Sequence, residues 1–447
     1  MAKEFKVEPL KVWNDFKKYR EQYYRDYLEA KDNGAVRWAG SAWAFDAVPA
    51  GLGEDVYPLT GEPYGATVAF FKDFSRRALE KAERAGVPRD LCGYLRNYWG
   101  SIMMDKYVLT DGTEVEPFPK PDFNYTIHIC CTHAKWYHRA GELEGDVPTY
   151  AVDISVGPGY LLDDRKINYV VRQLEDSIKW MEQITGREYD DELLIKAVLA
   201  EADSMSTWAK ICKLNQNIPA PLEEKSMFTL YALLVLHRAD PRVAELYNKL
   251  YEETQDRVKR GIGAINNEQF RFLTDNPPPW AFLNVYRYLE KEYGAVSLGS
   301  VYTFGLEGAW LGMDEKGETW RWEPAPTPEE AGVEISNRED ALRWTAEFNL
   351  RYRPGWQHPY SHKIRKIETL QMIKDWKADA MIMHLNRGCE LWAMSELEVR
   401  DYLVKHNIPV ATYEGNMADP REFDEARTWN VIDSFMESLG IKKLSKQ

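Results

Sequence analysis

Five cysteines carry the most distinctive chemistry in this 447-residue sequence: Cys92, Cys130, Cys131, Cys212 and Cys389. Cys131 closes the run TIHICC, and Cys389 ends MIMHLNRGC; each follows a β-prone stretch and precedes an amphipathic one. A thiol where a strand stops and a helix starts meets unpaired backbone amides and the positive end of the helix dipole, which favour the thiolate. Cys92, in PRDLCGYLRNYWG, falls in a first helical turn, because Pro88 and Asp90 suit a helix start. Three thiolates meeting in one cleft can hold an iron–sulfur cluster and leave one iron without a cysteine. That iron could act as a Lewis acid or pass electrons. The plain alternative is that these thiols are core, since cysteine is among the most buried residue types. Cys212, inside STWAKICKL, reads as core. The odd count and the lack of any CxxC pair argue against a disulfide framework or a local zinc site.

Other chemistry-bearing residues are sparser. His358 and His362 in WQHPYSH have zinc-like spacing, but Pro359 stands between them and no HExxH glutamate accompanies them. His128 and His384 each sit within an expected strand a few residues before a cysteine. They fit either a satisfied core histidine or a proton relay. GSVYTFGLEGAWLG lacks both GxGxxG and GxxxxGK[ST], so the chain shows no ATP site of its own, and no GxSxG is present.

The elements that must position these residues can be read from the periodicity. Residues 1–33 form an N-terminal helical segment ended by Asn33-Gly34. Residues 34–160 read as a first α/β lobe: AVRWAG is a strand, GLGEDVYPLTGEPYGA a loop, and VAFFKDFSRRALEKAERAG a helix. FNYTIHIC, the helix after Cys131 and VPTYAVDIS make a βαβ unit. Residues 161–260 are a helical block, broken by NIPAPLEE. Residues 261–447 form a second α/β lobe with two further βαβ units, and an acidic, proline-bearing surface insertion interrupts it at 313–340. The alternation predicts an α/β fold with parallel sheets and right-handed crossovers, and it places Cys131 and Cys389 beyond carboxyl ends of strands, where such sheets bind ligands.

Composition bounds the rest. The length suggests two or three domains, and 44% hydrophobic with 29% charged residues describes an ordinary globular chain. A net charge of −14 without a Lys/Arg run argues against nucleic acid as the main partner. No signal core and no run of about 18 apolar residues occurs, so the expected location is the cytoplasm, with no membrane span. The 16 tryptophans and 26 tyrosines point to deep aromatic packing or a broad interface.

At the level of motifs the chain resembles the benzoyl-CoA reductase and 2-hydroxyacyl-CoA dehydratase family. IPVATYEGNMADPREFDE is similar to the family segment "GIPV…E.D..DPR", DLCGYLRNYWG to its first cluster cysteine and arginine-bearing helix, and HICCTHAKW to its second cysteine. The resemblance covers most of the chain and is most specific in the last third. It implies two Rossmann- or flavodoxin-like lobes with a cluster cleft, one 4Fe–4S cluster per chain on three cysteines, and a homologous cluster-bearing partner subunit. The implied ligands are Cys92, Cys389 and one of the doublet, with Cys131 preferred for its closeness to the helix start and Cys130 as the alternative. The dehydratases' "GY.CSY.PEEL" segment is replaced here by AVRWAGSAWAFDAVPAGLG, without its cysteine or paired glutamates. HICCTHAKW and DNPPPW look more like the larger subunit of an ATP-dependent benzoyl-CoA reductase. The expected activity is therefore reduction of benzoyl-CoA, or a close aromatic acyl-CoA, to a cyclic diene thioester, with electrons from a separate ATP-hydrolysing module. The alternatives are a 2-hydroxyacyl-CoA dehydratase subunit and a non-catalytic scaffold. Ser41 is a candidate substrate or cluster contact, and His128 and His384 are candidate proton donors.

Overall fold

The computed structural model describes residues 4–154, 157–357 and 361–444. Eight strands build two parallel sheets: β1 (Val36–Gly40), β2 (Val56–Thr60), β3 (Phe123–His128) and β4 (Thr149–Asp153) in the first lobe, and β5 (Phe270–Thr274), β6 (Ala295–Ser300), β7 (Ala380–Asn386) and β8 (Val410–Gly415) in the second. The first sheet runs in the order β2-β1-β3-β4 and the second in the order β6-β5-β7-β8, so both lobes share one doubly wound topology. Register in the first sheet pairs Trp38 with Phe123 and Gly40 with Thr60; in the second, Ala380 pairs with Phe272 and Met381 with Val410. Helices cover both faces, which is why Ala380–Met383 are buried without alternation. At Gly40 a side chain has no room, because a Cβ would lie 2.0 Å from the Tyr125 carbonyl oxygen.

Between the sheets in sequence lie four long helices, Asp164–Thr185, Asp191–Leu214, Glu224–His237 and Pro241–Arg260. Each starts on an acidic N-cap (Asp163, Asp190, Glu223 and Asp240) whose carboxylate accepts first-turn backbone N–H groups. The block is tied to both lobes through one buried cation. Arg238 donates to the Ala42 carbonyl (2.9 Å), Asp46 (2.8 Å) and the Ala44 carbonyl in the first lobe, and to Glu201 (2.8 Å) in the block. Glu307 of the second lobe lies 3.7 Å away and pairs with Arg353. All five charged side chains are buried. Burial raises Asp46 well above the carboxylate range and lifts Glu307 to about 7, against the pull of the two guanidiniums beside them.

Three expectations are corrected. GLGEDVYPLTGEPYGA is not loop throughout: it holds β2 and the helix Gly61–Phe70. β2 is an edge strand, so the missing N–H of Pro58 breaks no ladder, and its burial hides the period-2 alternation that would mark a strand. The helix expected from Val68 onward is two helices, separated at Phe71. Residues 313–340 are not simply a surface insertion. Trp310–Met313 and Trp320–Pro324 form an antiparallel hairpin, and Trp320 and Trp322 are buried with Trp310 and Trp376 in a tryptophan cluster. Among the described residues no helix is long and apolar enough to cross a membrane.

Candidate functional site

The loops leaving β1 and β3 in one lobe and β5 and β7 in the other open onto a shared cavity of about 740 Å³. These are the topological switch points of the two sheets, where neighbouring crossovers part and leave a crevice. Ala42 and Trp43 come from the β1 loop, Cys130 to His133 from β3, Pro277 and Trp280 from β5, and Cys389 to Trp392 from β7; the helical block adds Phe228 and Tyr231. Cys92 lines the cavity too, so Cys92, Cys130, Cys131 and Cys389 come together there, while Cys212 lies buried in the block.

Cys92 stands as the N-cap of the helix Gly93–Met104, one residue before the first turn expected for it, and Cys389 is the N-cap of the short helix Glu390–Ala393. Their two loops are stitched together: the Gly93 N–H donates to the Gly388 carbonyl at 3.1 Å, across the lobes. Both glycines pack on Asn416, whose Oδ1 would lie 2.7 Å from a Cβ at Gly93 and 2.3 Å from one at Gly388. Asn416 Oδ1 accepts from the Ala418 and Asp419 amides (3.0 and 3.1 Å), and Asn97 Nδ2 donates to the Gly93 and Ala418 carbonyls (3.0 and 2.7 Å). Asp419 in turn accepts from Arg96 (3.0 Å) and Arg421. The motifs DLCGYLRN and EGNMADPR, far apart in sequence, are thus two halves of one clamp.

The doublet divides its roles. The backbone N–H of His133, at the start of the helix His133–Leu143, donates to Cys130 Sγ (3.4 Å). Cys131 is exposed, and its thiol donates to Glu390 Oε2 of the other lobe at 3.0 Å. Cys130 is also the member of the doublet whose charge acts on both Cys92 and Cys389. Burial pushes the Cys92 thiol up to about 12 and Cys389 well above the usual thiol range. Burial raises Cys130 as well, but His133 outweighs it and the net shift is downward, whereas burial and then Glu390 lift Cys131 to about 11.

The donor set fits an iron–sulfur cluster. Three sulfurs sit in an apolar cleft, and main-chain amides reach each: Tyr94 and Leu95 toward Cys92, Thr132 and His133 toward Cys130, Trp392 toward Cys389. Among the described residues no three His, Cys, Asp or Glu side chains converge as ligands of a single ion.

Beside Cys130 stands a pair that sequence reasoning missed. The Glu62 carboxylate accepts from His133 Nε2, the Ala42 N–H (2.9 Å) and Ser41 Oγ (3.3 Å). Burial works against charge on both partners. Even so, Cys130 and Glu62 lift His133 to about 10, and His133 draws Glu62 below its usual value. His133 could have been found from its position three residues after Cys130, but Glu62 lay in the stretch read as loop. Ser41 is buried behind this pair and does not line the cavity. Nor do His128 and His384. His128 lies beside His138, with ring centroids 6.0 Å apart; His384 stacks on Tyr413, bonds the Pro277 carbonyl (2.9 Å) and is pushed down to about 4 by burial. His358 lies outside the described residues, and His362 opens the helix His362–Asp375.

Comparison with known proteins gives the family to which this fold belongs. The family described as 2-hydroxyglutaryl-CoA dehydratase, D-component, matches residues 42–322 and 333–439. The chain is 27% identical to the (R)-phenyllactyl-CoA dehydratase alpha subunit of Clostridium sporogenes, over 93% of this chain and 92% of that one. It is 24% identical to the alpha subunit of the (R)-2-hydroxyglutaryl-CoA dehydratase of Acidaminococcus fermentans, over 94% and 95%. It is also 24% identical to a subunit of the benzoyl-CoA reductase of Thauera aromatica, over 81% and 79%.

Proposed function

The chain belongs to the 2-hydroxyglutaryl-CoA dehydratase D-component family, and from that premise we propose that it is the iron–sulfur subunit of an ATP-dependent benzoyl-CoA reductase. In this reading it works with a homologous cluster-bearing subunit and takes electrons from a separate ATP-hydrolysing module. The observation that carries the reading is the cavity itself: four thiols, Cys92, Cys130, Cys131 and Cys389, line a pocket walled by Trp43, Tyr94, Trp136, Trp280, Tyr302 and Trp392. Cys92, Cys130 and Cys389 hold a 4Fe–4S cluster. When bound, the cluster supplies single electrons of low potential to the ring of an aromatic acyl-CoA.

The chain's own residues do the rest. The aromatic wall stacks the ring and excludes water, which would otherwise take up low-potential electrons as a proton source. His133 donates its Nε2–H to Glu62 and is held protonated next to Cys130, which makes the pair the proton source beside the thiols. Ser41 and the Ala42 amide hold the Glu62 carboxylate in place and leave it oriented toward the imidazole.

A second reading, a 2-hydroxyacyl-CoA dehydratase subunit, is favoured by the near full-length match to the dehydratase alpha subunits. Product analysis decides between them. The chain, co-purified anaerobically with its partner subunit and supplied with the ATPase module, should convert benzoyl-CoA to a cyclic diene thioester. Formation of an enoyl thioester from a 2-hydroxyacyl-CoA, with benzoyl-CoA untouched, would establish the dehydratase instead.

A further inference from the structure

Two helices from different parts of the chain carry the cavity away from the thiols. On Gly61–Phe70 the lining residues are Glu62, Pro63, Ala66, Thr67 and Phe70, which share one helix face. They are also the residues of that helix that keep some exposure. Glu62, at the inner end, is bonded to His133 beside Cys130. Phe70 lies about 12 Å further along, at 1.5 Å per residue, and is 61% exposed. On Glu224–His237 the lining strip includes Tyr231, Thr229 and Lys225. Tyr231 packs against Tyr302 (5.5 Å between ring centroids), which meets Trp392 (5.9 Å) near Cys389; Lys225 is about two turns nearer the helix start.

The two ends of the cavity differ in charge. At the thiol end Cys131 and Glu390 bound it, and the exposed carboxylate there repels an anion. At the outer end Arg20, Lys72, Lys225 and Arg287 line it, and Glu425 is the single carboxylate in that part of the lining among the described residues. Arg287 is paired with Glu290 at 2.6 Å. In a chain of net charge −14, however, Arg20, Lys72 and Lys225 have no ion-pair partner among the described residues, and Arg20 Nε is buried without an acceptor. Arg20 sits one turn before Tyr24, whose hydroxyl lies 3.2 Å from Thr67 Oγ1, so it stands over the outer half of the first strip.

We propose that the outer end binds the phosphorylated adenosine end of a coenzyme A thioester, with Arg20, Lys72 and Lys225 on the phosphates and Phe70 on the adenine face. The pantetheine arm then lies between the two strips, where the small side chains of Ala66 and Ala232 leave width for it. Unpaired ammonium and guanidinium groups gain charge-assisted hydrogen bonds from phosphate without first giving up a carboxylate. An exposed aromatic ring at the mouth offers a purine a stacking face. The assignment rests on the reading that this cavity takes an acyl thioester, and it fixes the direction: the acyl group lies at the thiols of this chain, and the nucleotide end points away from Glu390.

The test is calorimetry on the anaerobic complex with its partner subunit, without ATP. The probes are desulfo-coenzyme A and desulfopantetheine, which carry neither a thiol nor an acyl group. Desulfo-coenzyme A should bind about 100-fold tighter than desulfopantetheine, and less tightly as salt rises. Lys72→Gln and Lys225→Gln should each raise its Kd about ten-fold, and Phe70→Ala by a similar factor, with desulfopantetheine binding and iron content unchanged. Equal binding of the two probes by the wild type, binding of neither, or wild-type affinity for desulfo-coenzyme A in all three variants overturns the assignment. Benzoyl-CoA that binds no tighter than desulfo-coenzyme A overturns the functional reading of the inner pocket instead, and leaves the outer end assigned.

Discussion

At the scale of single residues, the cysteine doublet is where sequence and structure part most usefully. Strand ends and a helix start singled out Cys131, Cys389 and Cys92, and the family resemblance added Cys130 as the alternative; all four line the cavity. Sequence reasoning preferred Cys131 to Cys130, but closeness to a helix start in sequence does not say which sulfur receives the helix amide. The His133 N–H reaches Cys130, whereas Cys131 turns out to Glu390. Single serine substitutions at Cys92, Cys130 and Cys389 should therefore abolish a cluster of about four irons, whereas Cys131→Ser should retain it, as iron and acid-labile sulfide analysis will register. A second residue-scale prediction concerns Glu224. It is fully buried, and its Oε2 accepts from Ser297 (2.6 Å) and Thr274 (2.7 Å); burial raises its pKa to about 7. The folded state thus binds a proton that the unfolded state releases between pH about 4.5 and 7. The resulting stability is full at the acid end and is lost as pH rises through about 7, by at most ~1.4 kcal/mol per pH unit. Glu224→Gln should flatten that slope in urea titrations at pH 5.5 and 7.5; an unchanged slope would place the proton elsewhere.

At the scale of elements, the long helices of the block and the buried strands β3, β5 and β7 were legible because periodicity, caps and length agreed. β2 was not, because an edge position excused its proline and burial of all but Tyr57 blurred its alternation. The hairpin of Trp310 and Trp320 was hidden by charged neighbours at alternate positions, which in fact point outward. Least legible was the clamp, whose two motifs are some 320 residues apart and meet only in space. Its centre is Asn416, and Asn416→Ala would leave the Ala418 and Asp419 amides unpaired at a cost of about 1–3 kcal/mol. Because the Asn416 side chain lies under both Gly93 and Gly388, iron retention during dilution should fall much more than the urea midpoint. Equal losses in both would mean that Asn416 supports the fold in general rather than the thiol loops.

At the scale of the whole molecule, two lobes with the same strand order and a helical block converge on Arg238. Removing a buried cation from its carboxylates strands their charge, so Arg238→Met should cost about 3–5 kcal/mol in urea denaturation. Adding Glu307→Gln, which removes one of those carboxylates, should return part of the loss; strict additivity would show that the two groups do not interact. The fold class was legible at this scale, because alternating strands and helices admit few topologies. The shared order of the two sheets was not, since no periodicity reports which strand lies beside which.

The stitched loops also set a timetable. Synthesis proceeds at about 5–20 residues per second, so Cys130 emerges on the order of 15 to 60 seconds before Asp419, the last residue of the clamp, exists to close over it. For most of that interval the newborn chain presents Cys92 and Cys130 without Cys389, open to oxidation and to capture of stray metal ions. In the proposed reading, loading of the finished cleft is therefore a late event in the life of each chain, and the iron content of the purified protein should follow how reducing its surroundings are while the second lobe is still being made.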